Sequence, residues 1–249
     1  MTHATRGILS ATILLAGGAL AACGGPSSVE RRTSTPAEGI TTVRIISEAG
    51  DLVVSGGDGQ TAIAATGTAV DPAGGSVDGI DFKTSVSGSE LLIEARTAGT
   101  PARFNIAITL PRSLAVKIED GDGDIAVQDV AAIDIVDGNG DIAVRRVGAL
   151  LITDTAGGII VGPMTGNIEI RDDGMGDMAF RDIEGNILVT RDSAGAIEMT
   201  DVRGTVEILA DGDGDIVATN VTGNFTVRYD TSGRIRQTSI GGTVTLPSR

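Results

Sequence analysis

Seven aspartates recur at nearly constant intervals through the C-terminal half of the chain, and carboxylates repeated in this way could bind metal or cap backbone corners. They are Asp120, Asp137, Asp154, Asp173, Asp192, Asp211 and Asp230, separated by 17 or 19 residues. Each is followed three residues later by a glycine and five later by an apolar residue, such as Gly123 and Ile125 after Asp120. A corner needs an acceptor side chain and glycines that adopt positive φ, so this pattern fits a corner without any ligand.

Calcium is the sharpest chemical alternative, because the acids are densest on two adjacent repeats. The candidate ligands are Asp120, Asp122, Asp124, Asp137, Asn139 and Asp141. Calcium takes about six to eight oxygen ligands, which neighbouring repeats could share. The run from Asp120 resembles the start of an EF-hand loop, but Ile125 replaces its glycine and Ala131 its closing glutamate. Calcium therefore stays an alternative.

The balance of energies favours a corner ladder made of Asp154, Asp173, Asp192, Asp211 and Asp230 in the other repeats. Carboxylates stacked about 5 Å apart repel by about 3 kcal/mol at an effective dielectric near 20. A hydrogen bond to a charged acceptor contributes about 1.5 to 3 kcal/mol, so backbone donors can offset the repulsion. We expect these aspartates to form a negative stripe on the surface.

Catalysis has few residues available to it. The chain has one histidine, His3, and one cysteine, Cys23, both near its start. This excludes serine and cysteine triads and the usual zinc sites from the repeat region. Other β-helix proteins cut acidic polysaccharides with aspartates and arginines, and the arginines here are Arg145, Arg146, Arg171, Arg181 and Arg191. They scatter over several repeat positions, so we predict no enzyme and keep a polysaccharide-active enzyme as a remote alternative.

The elements that position these residues follow from the repeat itself. The residue five positions after the apolar residue of each Asp-Gly corner is apolar, and the residue seven positions after it is small, as Val130 and Ala132 illustrate. An apolar-x-apolar segment such as Ile133 to Ile135 then leads to the next aspartate. Each unit thus holds two short strands, and a unit of this size must stack on its neighbours to bury a core. Residues 114–249 are predicted to form an all-β solenoid of about seven turns of 17 to 19 residues.

Residues 41–113 are predicted to be a less regular β region at the start of the same sheet. Alternating segments at residues 42–46, 51–54, 90–94 and 104–108 are bounded by Gly, Asp and Ser, which is typical of strands. Gly50, Asp51 and Leu52 echo the later repeat. No segment has a convincing helical period.

The N-terminus predicts export and a lipid anchor. Residues 1–22 combine a charged start with a short apolar run and read as a signal peptide. Leu20 to Cys23 resembles the bacterial lipobox, so we expect Cys23 to be lipidated and residues 23–40 to be a flexible tether. After residue 22, all 33 acidic residues remain and Arg6 is the one basic residue lost, which moves the net charge from -14 to -15. Such a charge disfavours nucleic acid as a partner.

The successive corners Gly-Asp-Gly-Asp-Ile-Ala-Val, Gly-Asn-Gly-Asp-Ile-Ala-Val and Gly-Asp-Gly-Asp-Ile-Val-Ala follow the entry segment Ile108 to Arg112. Over residues 41–246 this arrangement resembles the bacterial β-strand-repeat family known as putative adhesins, whose function is not known. The resemblance implies a right-handed, β-helix-like solenoid on exported or membrane-attached proteins. We therefore expect an adhesin-like, non-enzymatic lipoprotein of the cell envelope, in the outer membrane if there is one. Its partner would be the membrane through Cys23 and an envelope protein or glycan, with the oligomeric state and calcium dependence left open.

Overall fold

The all-β solenoid predicted from the repeat is confirmed. A computed structural model of the chain describes residues 28–71, 77, 80–97 and 103–248. Parallel coils stack in about seven turns that are about 19 residues apart. The described residues contain no helix, and hence none long and apolar enough to cross a membrane. The predicted signal peptide and Cys23 lie outside the described residues.

The N-terminal region contributes seven strands. They are β1 (Ser28–Pro36), β2 (Thr42–Ser47), β3 (Leu52–Gly57), β4 (Ala62–Val70), β5 (Asp81–Ser87), β6 (Glu90–Arg96) and β7 (Arg103–Pro111). Strands β2, β3, β6 and β7 confirm the segments predicted from alternation. Strands β1, β4 and β5 were missed, because Thr, Ala, Gly and Ser dilute their apolar period.

The repeat region contributes the other eighteen strands, most of them three to six residues long. Its first seven are β8 (Ala115–Asp120), β9 (Ile125–Gln128), β10 (Ala132–Val136), β11 (Ile142–Arg145), β12 (Leu150–Thr153), β13 (Ile159–Val161) and β14 (Ile168–Met175). The next six are β15 (Met178–Ile183), β16 (Ile187–Val189), β17 (Asp192–Ala194), β18 (Ile197–Val202), β19 (Val206–Ile208) and β20 (Asp211–Asp213). The last five are β21 (Ile216–Val221), β22 (Phe225–Val227), β23 (Asp230–Ser232), β24 (Ile235–Ile240) and β25 (Val244–Thr245).

Two long sheets face each other across the core. One has eleven strands in the order β1-β4-β7-β3-β9-β11-β13-β15-β18-β21-β24. The other has fourteen strands, of which eleven follow the order β25-β22-β19-β16-β14-β12-β10-β8-β2-β6-β5 and three, β17, β20 and β23, branch off at β14. This branch joins β14, β17, β20 and β23 along the aspartate corners. The N-terminal strands extend the same two sheets, as the sequence indicated.

The core is a set of apolar rows that run from turn to turn. Parallel pairing holds Ile118, Ile135 and Ile152 in register in the fourteen-stranded sheet, and each is at most 1% exposed. Side chains of a strand alternate between its two faces, so the residues between them point outward. Parallel stacking of identical positions therefore builds one continuous core from units that could not bury one alone.

The predicted flexible tether at residues 23–40 is wrong over strand β1. Ser28–Pro36 pairs antiparallel with Ala62–Val70 along its whole length. The segment is polar, as is common for an edge strand. Alternate residues in its second half are half-buried, and the others are exposed to solvent. Pro36 ends the strand, where a missing N–H donor is tolerated.

Candidate functional site

The aspartate column lies inside the solenoid, and the expectation of a negative surface stripe is wrong. Six of the seven aspartates are at most 8% exposed, and we call these six the interior aspartate column: Asp120, Asp137, Asp154, Asp173, Asp192 and Asp211. Asp230, in the last turn, is half-buried. Backbone pairing aligns them directly, with Asp173 opposite Asp192 and Asp211 opposite Asp230. Ser47 pairs with Asp120 and starts the column in the N-terminal region.

Strand alternation explains why the first aspartates point inward. Asp137 stands two residues after the buried Ile135, on the same face of the chain. In the later repeats the distance grows to three residues, as from Val189 to Asp192, which would turn the side chain outward in a regular strand. A register irregularity between Ile152 and Thr153, against β14, absorbs the extra residue. The later aspartates therefore stay inside.

Burial raises the pKa of every member of the interior column. It raises the pKa of Asp120 to about 6 and that of Asp137 and Asp173 to about 7. The pKa of Asp154 is also raised, chiefly by burial, although nearby backbone N–H groups oppose the shift. Neighbouring carboxylates in the column add to the effect for Asp137 and Asp173, because like charges disfavour ionisation.

Asp192 and Asp211 lie beside each other in the paired strands β17 and β20. Burial is the main cause that raises the pKa of both carboxyl groups. The closeness of the two side chains raises the pKa of Asp211 further and opposes the rise at Asp192, as a hydrogen bond between them would. Such a bond needs one proton, because two carboxylates are both acceptors.

The corner role predicted for the aspartate column is observed at Asp154, whose Oδ1 accepts the Ala156 N–H at 3.2 Å. A corner device that recurs from turn to turn belongs to a different set of residues, which we call the outer aspartate ladder: Asp51, Asp124, Asp141, Asp177 and Asp215. In this ladder each carboxylate accepts the backbone N–H of the equivalent residue one turn on. The Asp141 N–H donates to Oδ1 of Asp124 at 3.0 Å, and the Gly158 N–H donates to Oδ1 of Asp141 at 2.8 Å. Asn105 begins the ladder by accepting the Asp51 N–H at 3.0 Å.

A second ladder follows the other corner. The Asn186 N–H donates to Oδ1 of Asn167 at 2.9 Å, and the Thr205 N–H donates to Oδ1 of Asn186 at 2.8 Å. Asn224 accepts the Thr243 N–H in the same way at 2.9 Å. Side-chain acceptors at both corners thus satisfy donors that the strands leave unpaired.

Removing one acceptor from the outer ladder is expected to destabilise the fold measurably. Asp141→Ala deprives the half-buried Gly158 N–H of its acceptor and should lower the free energy of unfolding by about 1 to 2 kcal/mol. Asp141→Asn keeps an Oδ1 acceptor, as Asn105 does for Asp51, and should lose less than half of that. Denaturant titration measures both, and equal losses in the two variants would contradict the assigned role.

The six candidate calcium ligands divide between different surroundings. Asp120 and Asp137 are buried in the interior column, whereas Asp124 and Asp141 are exposed members of the outer ladder. The other two are Asp122, which bonds to Arg103 at 3.2 Å, and the exposed Asn139. Within the described ranges no group of three or more acidic, histidine or cysteine side chains converges on a point that could hold a metal ion. Calcium binding stays a prediction.

A feature that sequence reasoning missed is a column of left-handed residues at the end of the strands in the eleven-stranded sheet. Its members have φ between 53 and 59°: Asp129, Arg146, Asp182, Asp201, Asn220 and Ser239. The position falls four residues after the apolar residue of each corner, and its content of Asp and Asn was the available signal, since these residues tolerate this region best.

A groove of about 790 Å³ follows this column, and ion pairs fill its first part. Asp129 accepts hydrogen bonds from Arg146 Nε at 2.9 Å and from Arg112 at 3.2 Å. These guanidinium groups, Arg146 above all, hold the pKa of Asp129 below its usual range. Further along, Arg203 pairs with Glu184 at 2.9 Å. Acids and arginines along this part of the groove therefore pair with each other.

The arginines considered for catalysis are spread along the outside. Arg146 binds Asp129, Arg171 pairs with Glu169 at 3.0 Å, and Arg191 pairs with Asp172 at 2.7 Å. Arg145 donates to Gln128 at 2.7 Å, and Arg181 lies 4.0 Å from Glu198. Arg145 and Arg146 share Gln128, whereas the other three arginines each have an acidic partner of their own.

One outward face of the eleven-stranded sheet is apolar, and we call it the apolar row: Val53, Ala126, Ala143 and Ile160. Pairing places these residues side by side in four adjacent strands. Val53 is 45% exposed and Ile160 is 59% exposed. They border a shallow groove of about 430 Å³ that also contacts Gln128 and Arg145. The sequence carried this signal only in the register between turns.

Comparison with known proteins returned no matching family model and no match among curated proteins. Solved structures do match. A "putative lipid binding protein" from Parabacteroides distasonis is 14% identical with a TM-score of 0.43, covering 90% of this chain and 97% of its own. A "putative adhesin" from Parabacteroides merdae is 11% identical with a TM-score of 0.42, covering 87% and 95%. Another from Bacteroides fragilis is 15% identical with a TM-score of 0.34, covering 89% and 96%. Sequence identities and TM-scores this low support no inference about what the present chain binds.

Proposed function

We propose that this chain is a lipid-anchored, non-enzymatic protein of the bacterial cell envelope that presents its solenoid to a protein or glycan, as an adhesin-like module would. The observation that carries the proposal is the apolar row. An exposed valine and isoleucine flanked by alanines are unusual on a chain with a net charge of -14. Contiguous apolar surface with a polar border is typical of interaction sites.

The shape of the apolar row favours a flat or extended partner. Alanines at positions 126 and 143 leave a shallow floor between the higher side chains of Val53 and Ile160. Gln128 and Arg145, hydrogen-bonded to each other at 2.7 Å, supply polar groups along one side. Apolar contact in the middle with polar groups at the border is the usual arrangement of an interface.

A non-enzymatic role agrees with the way charge is distributed. The acids of the interior column are buried, and the described arginines of the repeat region that were considered for catalysis make pairwise contacts. Catalysis needs a nucleophile, acid or base that converges with others on one reacting atom. A repeated exterior supplies similar groups at many places instead.

Anchoring through Cys23 would hold the solenoid close to the membrane. Four residues separate Cys23 from the start of strand β1 at Ser28. A fully extended chain advances at most about 3.6 Å per residue, so this connection spans roughly 18 Å. The end of the solenoid that carries β1 would then face the lipid, and the apolar row would lie along the side of the stack.

Site-specific crosslinking on intact cells tests the proposal. A photo-reactive amino acid at Ala143, in the apolar row, should capture a discrete protein or glycan. The same group at Lys117, which points outward from the opposite sheet, is the matched control and should capture several-fold less. Cys23→Ser should move the protein from the membrane fraction to the soluble fraction. Equal capture at both positions would contradict the interaction surface, and unchanged membrane association of Cys23→Ser would contradict the anchor.

A further inference from the structure

The interior aspartate column has a chemical peculiarity that the proposed function does not use. Its carboxyl oxygens are buried, and most of them meet no hydrogen-bond donor. Both carboxyl oxygens of Asp173, Asp192 and Asp211 are without one, as is one oxygen each of Asp137 and Asp154. Buried polar atoms in folded proteins almost always have a partner, so these atoms require an explanation.

The groups that face the column are acidic. The negative charges of Asp51 and Asp122 raise the pKa of Asp120, the first member of the column. Asp141 raises the pKa of Asp154 in the same way, and Asp172 raises that of Asp173. At the other end of the column, the charges of Asp213 and Asp230 raise the pKa of Asp211. The arginines nearest to these outer acids are Arg103, which bonds to Asp122, and Arg191, which bonds to Asp172. No cation is among the groups that shift the pKa values of the column's described members.

The pairing of the strands places members of the column side by side, with Asp173 opposite Asp192 and, since Ala194 is opposite Asp213, Asp192 beside Asp211. Backbone N–H groups near Asp173 and Asp192 oppose the rise of their pKa values but complete no hydrogen bond to them. Successive turns of a parallel sheet lie about 4.8 Å apart, so stacked carboxyl groups are within reach of each other. Two carboxylates repel, whereas a carboxylic acid donates a hydrogen bond to a carboxylate. Protonation therefore satisfies the orphan oxygens and removes the repulsion in one step, with no other group needed.

We propose that the later part of the interior aspartate column, formed by Asp173, Asp192 and Asp211, is a proton-binding ladder, in which protons shared between successive turns hold the stack together at neutral pH and are released as the pH rises. The pair formed by Asp192 and Asp211 is the centre of this ladder, because β17 and β20 pair in parallel with Ala194 opposite Asp213, which places Asp192 beside Asp211. The envelope protein would thereby sense the acidity around the cell through the stability of its own core.

The direction of the pH dependence follows from the raised pKa values. The unfolded chain releases these protons near pH 3.8, whereas folded Asp173 holds its proton to about pH 7. Between these values the folded state binds more protons than the unfolded state, so stability falls as the pH rises. This contribution to stability is complete below about pH 3.8, shrinks as the pH rises and is lost once the pH passes about 7.

Thermal unfolding between pH 5 and pH 8 tests this inference. The wild-type melting temperature should be higher at pH 5 than at pH 8 by about 5 °C or more. Asp211→Asn supplies a permanent neutral donor, so it should raise the melting temperature at pH 8 and reduce the pH dependence by at least a third. Asp182→Asn removes an exposed acid at a left-handed position that asparagine tolerates, and should leave the dependence unchanged. This control separates the column from the general effect of surface charge.

Infrared spectroscopy of the wild-type protein keeps the test independent of how any variant folds. A carbonyl band of protonated carboxylic acid should be present at pH 6.5 and should disappear between pH 7 and pH 9. The absence of that band, or a melting temperature that falls from pH 8 to pH 5, would overturn the proposal. So would stabilisation by millimolar calcium at pH 8 that is lost in Asp211→Asn, because a metal ion and not protons would then occupy the column.

Discussion

Gly195→Ala is expected to abolish folding or to lower the free energy of unfolding by more than about 3 kcal/mol. Gly195 has φ +143°, a region that alanine avoids, and a Cβ added there would lie 1.8 Å from the carbonyl oxygen of Gly176. The obstacle is the backbone of the neighbouring turn, which is itself fixed by the sheet. Relief would require two turns to separate, so the strain spreads over the stack instead of remaining local.

Gly88→Ala is the matched control for that experiment. Gly88 also has positive φ, +62°, but a Cβ there would meet no atom within 4 Å. Gly88→Ala should therefore lower the free energy of unfolding by only about 1 kcal/mol, the cost of placing alanine in a left-handed backbone conformation. Denaturant titration and the yield of soluble protein measure both variants. If Gly195→Ala were as stable as Gly88→Ala, the close stacking of corners would not be what holds the turns in place.

The second large effect concerns the core. Phe180→Ala should lower the free energy of unfolding by about 3 to 5 kcal/mol, because it removes a fully buried aromatic ring and leaves a cavity. Phe180 fills a row in which Val161 and Met199 are its neighbours in adjacent turns. Rows of this kind continue from one turn to the next, so the cavity would weaken the contact on both sides.

Ile160→Ala gives the comparison at the neighbouring turn. Ile160 is 59% exposed in the apolar row, so its truncation should change the free energy of unfolding by less than about 1 kcal/mol. The same variant should reduce crosslinking from Ala143, which separates binding from folding. Similar losses of stability in Phe180→Ala and Ile160→Ala would contradict the assignment of inside and outside in this strand pair.

The sequence predicted the repeat region well because its period is local information. Asp, Gly and Ile recur in phase, and the structure places the predicted strands and corners accordingly, with Leu52 in register with Ile125 as the echo in the N-terminal region indicated. The glycine prediction is also confirmed, since Gly123 and Gly140 adopt φ of 146° and 139°. Such residues report their own backbone geometry, which needs no knowledge of the neighbours.

The order of the first turns could not be read in the same way. Strand β2 lies between β6 and β8, and strand β3 lies between β7 and β9, so an early turn is inserted between two later ones. The antiparallel strand β1 joins the edge of the same sheet. Pairing partners far apart in the chain are chosen by complementary faces and edges in three dimensions, and no local spacing records that choice.

The sequence by itself determined that this chain is a stack of two-stranded turns with glycine at the corners, because period and backbone preference are properties of each residue and its near neighbours. Only the tertiary structure decided whether each aspartate side chain points into the core of the solenoid or outward to solvent. One extra residue separates Val189 from Asp192, compared with Ile135 from Asp137, yet both carboxyl groups end inside. The stacked sheets absorb that residue and bury the acids, and burial among like charges is what gives the column its affinity for protons.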